Sequence, residues 1–140
     1  MKRILVPVDG SDNSLRALRY AMAMARRRPP LELCLINVQD LVDGRVQAYR
    51  SRGDMDSMLT RQAEHALEAA RRLLAETRLP YTAYIAYGSP ASAIADYVKA
   101  KDCDTIVMGT RGMSAINNLL LGSISTQVLH LVQVPVTLVK

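Results

Sequence analysis

Two hydrophobic periods alternate along this chain, and that alternation constrains its fold more than any other feature. Ile4-Leu5-Val6-Pro7-Val8 and Leu31 to Val38 are short apolar runs, the mark of strands covered on both faces. Tyr81 to Tyr87, Thr105 to Met108 and Val134 to Val139 read as three further strands. Between them apolar residues recur at helical spacing. Leu15, Leu18, Met22 and Ala25 form one such stripe, and Met55, Met58, Leu59, Ala63, Ala66, Leu67, Ala70 and Leu73 a longer one. Ala91, Ile94, Ala95 and Val98 carry a third, and Ser123 opens a fourth through Ile124, Val128, Leu131 and Val132. Strands alternating with helices and ending on a strand predict an α/β fold. Its sheet is parallel, its helices lie on both faces as a three-layer sandwich, and its crossovers are right-handed.

The punctuation agrees with this reading. Ser11 or Asp12 caps the first helix, which stops before Pro29-Pro30, and Pro80 ends the second. Gly88-Ser89-Pro90 supplies a turn, a cap and a proline at the first helical position. Pro7 fits a ladder poorly because it has no N–H to donate, but it lies near the end of its run, and Pro135 suits an edge or a strand start. Asp40 to Asp54 holds two glycines and mixed charges without a period, which predicts a long loop.

Composition removes several alternatives. A chain of 140 residues is one domain's worth, so residues 1–140 are expected to form a single domain with a core of its own. No apolar run approaches the ~18 residues of a membrane span, and Ile4 to Val8 is too short for a signal-peptide core. A soluble cytoplasmic protein without membrane partners is expected. The net charge of +5 invites a nucleic-acid reading, but the arginines are scattered rather than striped, and Trp and Phe are absent. Nucleic acid is therefore not an expected partner. Cys34 and Cys103 are too few and too far apart in sequence for a disulfide scaffold or a zinc site, and read as reduced buried thiols.

In an open α/β sheet, ligands sit beyond the carboxyl ends of the strands where the strand order reverses, so the residues after each strand carry the information. After the fourth strand come Gly109, Gly112 and Gly122 in a G-x2-G-x9-G pattern, with Ser123 directly following. Glycines let main-chain N–H groups approach an anion, and the Gly-Ser pair opens a helix whose N-terminus offers free N–H groups and a positive dipole end. Ser123 and Ser125 can add hydroxyl donors, and Arg111 can add charge or point to solvent. The same residues also read as two turns and a helix cap. Asp9 can accept from a ribose hydroxyl or hold Mg²⁺ beside phosphates, or can serve as a cap or Asx-turn residue. The pattern is neither a P-loop nor a dinucleotide fingerprint, because strand one is followed by one glycine and no Gly-Lys-Ser/Thr.

Pro7-Val8-Asp9-Gly10-Ser11, Gly88-x-Pro90, Val107-Met108-Gly109-Thr110-Arg111-Gly112 with Gly122-Ser123, and Val134-Pro135-Val136 together resemble the universal stress protein family, specifically its ATP-binding subgroup. The resemblance covers essentially the whole chain. It implies a Rossmann-like five-stranded parallel sheet of order 3-2-1-4-5 that holds ATP, ADP or AMP at the β1/β4 switch point. In that comparison Asp9 takes the acidic position near ribose and metal, and Val38 takes a main-chain position that recognises adenine. Gly109, Gly112, Gly122, Ser123 and Ser125 form the phosphate cradle. Pro7, Val8, Gly88, Met108, Arg111 and Ile124 complete the expected cofactor-binding set. The resemblance also implies a homodimer through the last strand, Val134 to Val139, and a role in stress resistance. The residues themselves show apolar groups on both faces of that strand, an edge that tends to pair or be covered.

His65 and His130 fall within helices, and no His, Glu or Lys sits in the expected cradle. Hydrolysis needs a positioned base or a water-orienting group, so a binder that turns ATP over slowly, if at all, is expected, with no catalytic residue. An alternative is an ATP pyrophosphatase-like adenylating enzyme, since Asp9 to Ser14 loosely resembles the Ser-Gly-Gly-x-Asp-Ser loop of that group, but the glycine pair is missing. A phosphoacceptor receiver domain would need an aspartate after strand three, where Tyr87-Gly88 stands. Arg45, Arg50 and Arg52 in the Asp40 to Asp54 segment can form a flexible cover over the pocket or a solvated loop.

Overall fold

The computed structural model describes residues 2–40, 52–111 and 121–140. Along the chain run β1 (Lys2–Pro7), α1 (Asp12–Arg27), β2 (Leu31–Gln39), α2 (Arg52–Ala75), β3 (Tyr81–Tyr87), α3 (Pro90–Ala100), β4 (Thr105–Gly109), α4 (Ser123–Leu131) and β5 (Val136–Val139). The strands form one parallel sheet in the order β3-β2-β1-β4-β5. From β1 the chain moves outward to β2 and β3, then returns to the other side of β1 for β4, so the direction reverses between β1 and β4.

Each face of the sheet is buried by its own pair of helices. On one face Ala17, Leu18, Ala21 and Met22 of α1 and Leu67, Ala70 and Leu74 of α2 close over Ile4, Val6, Leu33, Leu35 and Val107. On the other, Ala91, Ile94, Tyr97 and Val98 of α3 and Val128 of α4 close over Leu5, Cys34, Ile36, Ile106 and Met108. Alternate residues of β1 thus supply both cores, which is why its sequence shows no polar face. The Met and Ala stripe of α2 is core, as its spacing predicts: Met58, Leu59, Ala63, Ala66 and Leu67 are all buried.

Several boundaries differ from the sequence expectation, each for a local reason. Val8 lies beyond β1, although its N–H still donates to Ile36 O at 2.9 Å. The second helix starts at Arg52 rather than Met55, so the end of the Asp40 to Asp54 loop is helical, with Asp54 in the first turn, where a carboxylate favours the dipole. Residues 41–51, with Arg45 and Arg50, lie outside the described residues. The same helix stops at Ala75, ahead of Pro80, because the N–H and Oγ1 of Thr77 both donate to Leu74 O. The last strand starts at Val136, not Val134. Pro135 has no N–H to offer and contributes its carbonyl instead, which accepts from Ile106 N and from Thr105 Oγ1.

The capping expectations divide. Ser11 is the cap of α1, its Oγ accepting from Ser14 N at 3.1 Å. Ser89 occupies the cap position of α3 with Pro90 following, but its side chain makes no capping bond. Among the described residues, no helix is long and apolar enough to cross a membrane.

Candidate functional site

Above the carboxyl edge of the sheet, β1 and β4 part. Their register covers only Ile4↔Thr105 and Leu5↔Ile106, whereas β1 stays paired with β2 up to Pro7↔Ile36. The amide of Val8 faces β2, so by strand alternation the nitrogen of Pro7 faces β4. The proline that fits a ladder poorly therefore stands where the ladder to β4 has already ended. A crevice opens at the reversal of strand order, the position where this class of sheet takes ligands.

The β1 side of the crevice is set by β2. Asn37 is buried, and its Nδ2 donates to Val8 O at 2.7 Å, while its Oδ1 accepts from Gln39 Nε2 at 2.7 Å. Ile36 O faces β1 and Gln39 O faces β3, where it accepts from Gly88 N at 2.9 Å. Val38 therefore belongs to the β1-facing set, and its main chain lies one step beyond the last β1 partner. Asp9 is exposed just past β1, and its Oδ1 accepts from Ser11 N at 2.9 Å in an Asx turn. Gly10 follows with φ +87, and a Cβ there would approach Ala66 Cα of α2 at 3.3 Å. Both the backbone sign and the close helix call for glycine.

The β4 side is built from the end of β4, the start of α4 and the end of β5. Gly122 is the N-cap of α4, and its carbonyl accepts from Thr126 N at 3.1 Å. The N–H groups of Ser123, Ile124 and Ser125 precede the first intrahelical bond, and the cap residue has no side chain to cover them. Gly122 N donates to Thr110 O at 2.6 Å, and Thr110 N donates to Val139 O at 3.0 Å, which ties the three segments together. Ser125 is buried, and its Oγ donates to Gly109 O at 3.0 Å. Its one hydroxyl proton is committed there, so the side chain braces α4 against β4 and the residue offers its main-chain N–H to the crevice.

Asn13 is the residue that sequence reasoning missed. It sits in the first turn of α1, 8% exposed. Its Nδ2 donates to Val139 O at 2.9 Å and its Oδ1 accepts from Arg111 N at 2.7 Å. A Cβ on Gly109 would collide with the Asn13 carboxamide, lying 2.7 Å from its Cγ. Gly109 is thus glycine because Asn13 fills the space a side chain would need. A lone Asn after a serine cap carries no sequence signal for this; only the fold brings it to β4.

Of the other expected residues, Met108 is buried in the α3–α4 core, while Arg111, Ser123 and Ile124 are exposed on the β4 side. Gly88, with φ +125, lies beyond β3, and its N–H donates to Gln39 O at the end of β2. Gly112 lies outside the described residues. His65 and His130 are both exposed on helices, His65 within 3.6 Å of Glu68. Among the described residues, no group of three or more His, Cys, Asp or Glu side chains is placed to hold a metal ion.

A doubly wound parallel sheet whose strand order reverses between β1 and β4, with a glycine-capped helix after β4, defines a class of α/β proteins. Within that class the chain belongs to the universal stress protein family, which it matches over residues 1–140. A universal stress protein of Thermus aquaticus is 34% identical over 99% of this chain and 98% of its own length. The universal stress protein UspA from Lactobacillus plantarum superposes with a TM-score of 0.83 at 28% identity, covering 99% of this chain and 97% of that one. A universal stress protein solved in complex with cAMP shares the fold with a TM-score of 0.71 at 24% identity, covering 99% and 97%.

Proposed function

We propose that this protein binds an adenine nucleotide in the β1/β4 crevice and serves as a regulatory protein of the stress response. One observation carries the reading: the first three N–H groups of α4, uncovered by a cap side chain, stand at the switch point beside Gly109 and the exposed Arg111. That is an anion site of the kind phosphates occupy. The main chain of Val38, facing the crevice past the end of the β1 ladder, fits the edge of a base. Pro7, Val8, Gly88 and Met108 line or support the pocket. Gly109, Gly112, Gly122, Ser123, Ile124 and Ser125 hold the phosphates, and Asp9 takes a ribose hydroxyl or a Mg²⁺ ion. The cAMP complex of a relative supports the ligand class.

The rest of the reading follows from the same residues. Residues 1–140 form a single domain, and the protein acts in the cytoplasm. It pairs with a second copy through β5, whose half-buried strand lies at the open edge of the sheet. Turnover is slow or absent, since hydrolysis needs a positioned group and His65 and His130 are exposed on helices.

Thermal unfolding of ligand-stripped protein tests the proposal, with Mg-ATP, AMP and cAMP added separately. A ligand at a hundred times its dissociation constant stabilises the fold by about 2.7 kcal/mol. An unchanged midpoint at millimolar concentration of all three overturns it. Following the nucleotide by chromatography in the same samples should show ATP intact or slowly converted to ADP, whereas release of AMP and pyrophosphate would identify an adenylating enzyme. Light scattering at micromolar concentration should give the dimer mass.

A further inference from the structure

The two outer strands of the sheet are unlike. β5 has four residues and follows Pro135 directly. At the other edge β3 runs seven residues, Tyr81–Tyr87, and among the described residues it pairs with β2 alone. It holds no charged residue, no proline and no glycine, and its register with β2 is unbroken, so no bulge turns it aside. Edge strands are ordinarily blunted by one of these devices, because their free N–H and C=O groups template pairing with another chain. On the described strands the large exposed hydrophobic side chains are Tyr84 and Tyr87, both of β3, at 50% and 47% exposure.

The outward main-chain groups follow from the ladder. Gly88 N donates to Gln39 O, so by strand alternation the groups of Thr82, Tyr84 and Ala86 face β2, and those of Tyr81, Ala83, Ile85 and Tyr87 face away from it. Side chains alternate as well. Tyr81, Ala83 and Ile85 pack in the core under α1 and α2, while Tyr84 leans on Tyr97 of α3 with ring centroids 5.3 Å apart. The strand reads Tyr-x-x-Tyr-x-x-Tyr and is symmetric in its tyrosines about Tyr84. A two-fold axis at Tyr84 sets a second β3 antiparallel to the first, with Tyr81 opposite Tyr87 and Ala83 opposite Ile85. Those are the residues with outward groups, so every one of them gains a partner. Tyr84 meets its own copy in a pair without hydrogen bonds, where side chains come closest. A slip of one residue opposes outward groups to inward ones, and a slip of two leaves tyrosines unmatched.

We propose that the β3 edge is an interaction surface for a second copy of this chain, which joins it antiparallel about Tyr84 and continues the two sheets as one. A second copy suits this edge better than an extended segment of another protein, because the symmetry of the strand is matched only by a partner with the same symmetry. The strand is uncharged, so self-pairing sets no like charges opposite one another within it. The contact is isologous and independent of the pairing proposed for β5. When both pair, the two contacts lie on opposite edges and extend the sheet without closing it, so the mass passes that of a dimer.

The experiment oxidises the full-length chain carrying Tyr84→Cys with oxidised glutathione under native conditions and resolves it under denaturing, non-reducing conditions. The expected product is a covalent dimer that reverts with dithiothreitol and yields a peptide pair joined through position 84 of both copies. Tyr87→Cys is the control. In paired copies its two thiols stand roughly 20 Å apart, six residues along the strands at about 3.3 Å each, so it should stay monomeric. A second measurement needs no cysteine. Sedimentation of the parent chain from micromolar to millimolar concentration should show its mass rising. Tyr84→Lys sets two like charges face to face and should remove that rise, leaving the β5 dimer where β5 pairs and the monomer where it does not. Circular dichroism checks that each variant is folded. The absence of a covalent dimer from folded Tyr84→Cys, equal dimer from both cysteine variants, or a Tyr84→Lys mass that follows the parent at every concentration would each overturn the proposal.

Discussion

Asn13 Oδ1 accepts the main-chain N–H of Arg111 at 2.7 Å across 98 residues of sequence, and so holds the first residue beyond Thr110 against the start of α1. The same carboxamide donates to Val139 O. One buried side chain thereby joins the first helix, the end of β4 and the last strand at the lip of the crevice.

Asn13→Ala should loosen that lip. The Arg111 N–H loses its acceptor, and Val139 O keeps only the Thr110 N–H. The loss of part-buried hydrogen bonds of this kind costs about 0.5–1.5 kcal/mol each, which urea denaturation will resolve. Nucleotide affinity, read from the thermal shift, should fall in the same variant.

Gly109→Ala places a Cβ against the Asn13 carboxamide. Overpacking of this kind costs about 1–3 kcal/mol. The contact is specific, so the penalty should shrink when Asn13→Ala is present as well. A double-mutant cycle checks this, with a coupling energy of about 0.5–3 kcal/mol expected. Equal penalties in the two backgrounds would show that the glycine is required for another reason.

The two serines at the start of α4 should separate cleanly. Ser125→Ala removes the bond to Gly109 O and is expected to destabilise the fold by about 1 kcal/mol. Ser123 is exposed, and Ser123→Ala should leave stability within about 0.5 kcal/mol of the parent. Denaturation curves of both variants, with and without Mg-ATP, distinguish a brace from a ligand contact.

Gly10→Ala forces a non-glycine residue to hold φ +87 while its Cβ presses toward Ala66. A strained backbone of this kind costs about 1–3 kcal/mol. Thermal unfolding should show a lower midpoint. The same substitution at Gly53, where a Cβ meets nothing within 4 Å, should be neutral or stabilising, because it lies within a helix.

The sheet was legible because its strands are apolar on both faces and its helices keep one face, so the two periods never blur. Boundaries were less so where a single bond decides them, as with the Thr77 hydroxyl at the end of α2 or the proline that delays β5. The reversal of strand order between β1 and β4 was legible, and Gly122-Ser123 does open a helix after β4. What the residues alone left open was the reason for each residue. Gly109 reads as a glycine for an anion, yet the space it leaves belongs to Asn13. Ser125 reads as a hydroxyl for a phosphate, yet its proton goes to Gly109 O. Cys34 and Cys103 look unrelated along the chain and lie in one core. Each depends on a contact between distant segments, which no local pattern records.

Because Val139 O receives both Thr110 N–H and the Asn13 carboxamide, the lip cannot be finished in the order in which the chain is made. A nascent chain on the ribosome can assemble β1, β2 and β3 early, but the pocket's β4 rim must wait until Val139 has emerged. The β4 rim of the crevice is therefore completed only once β5 has been made.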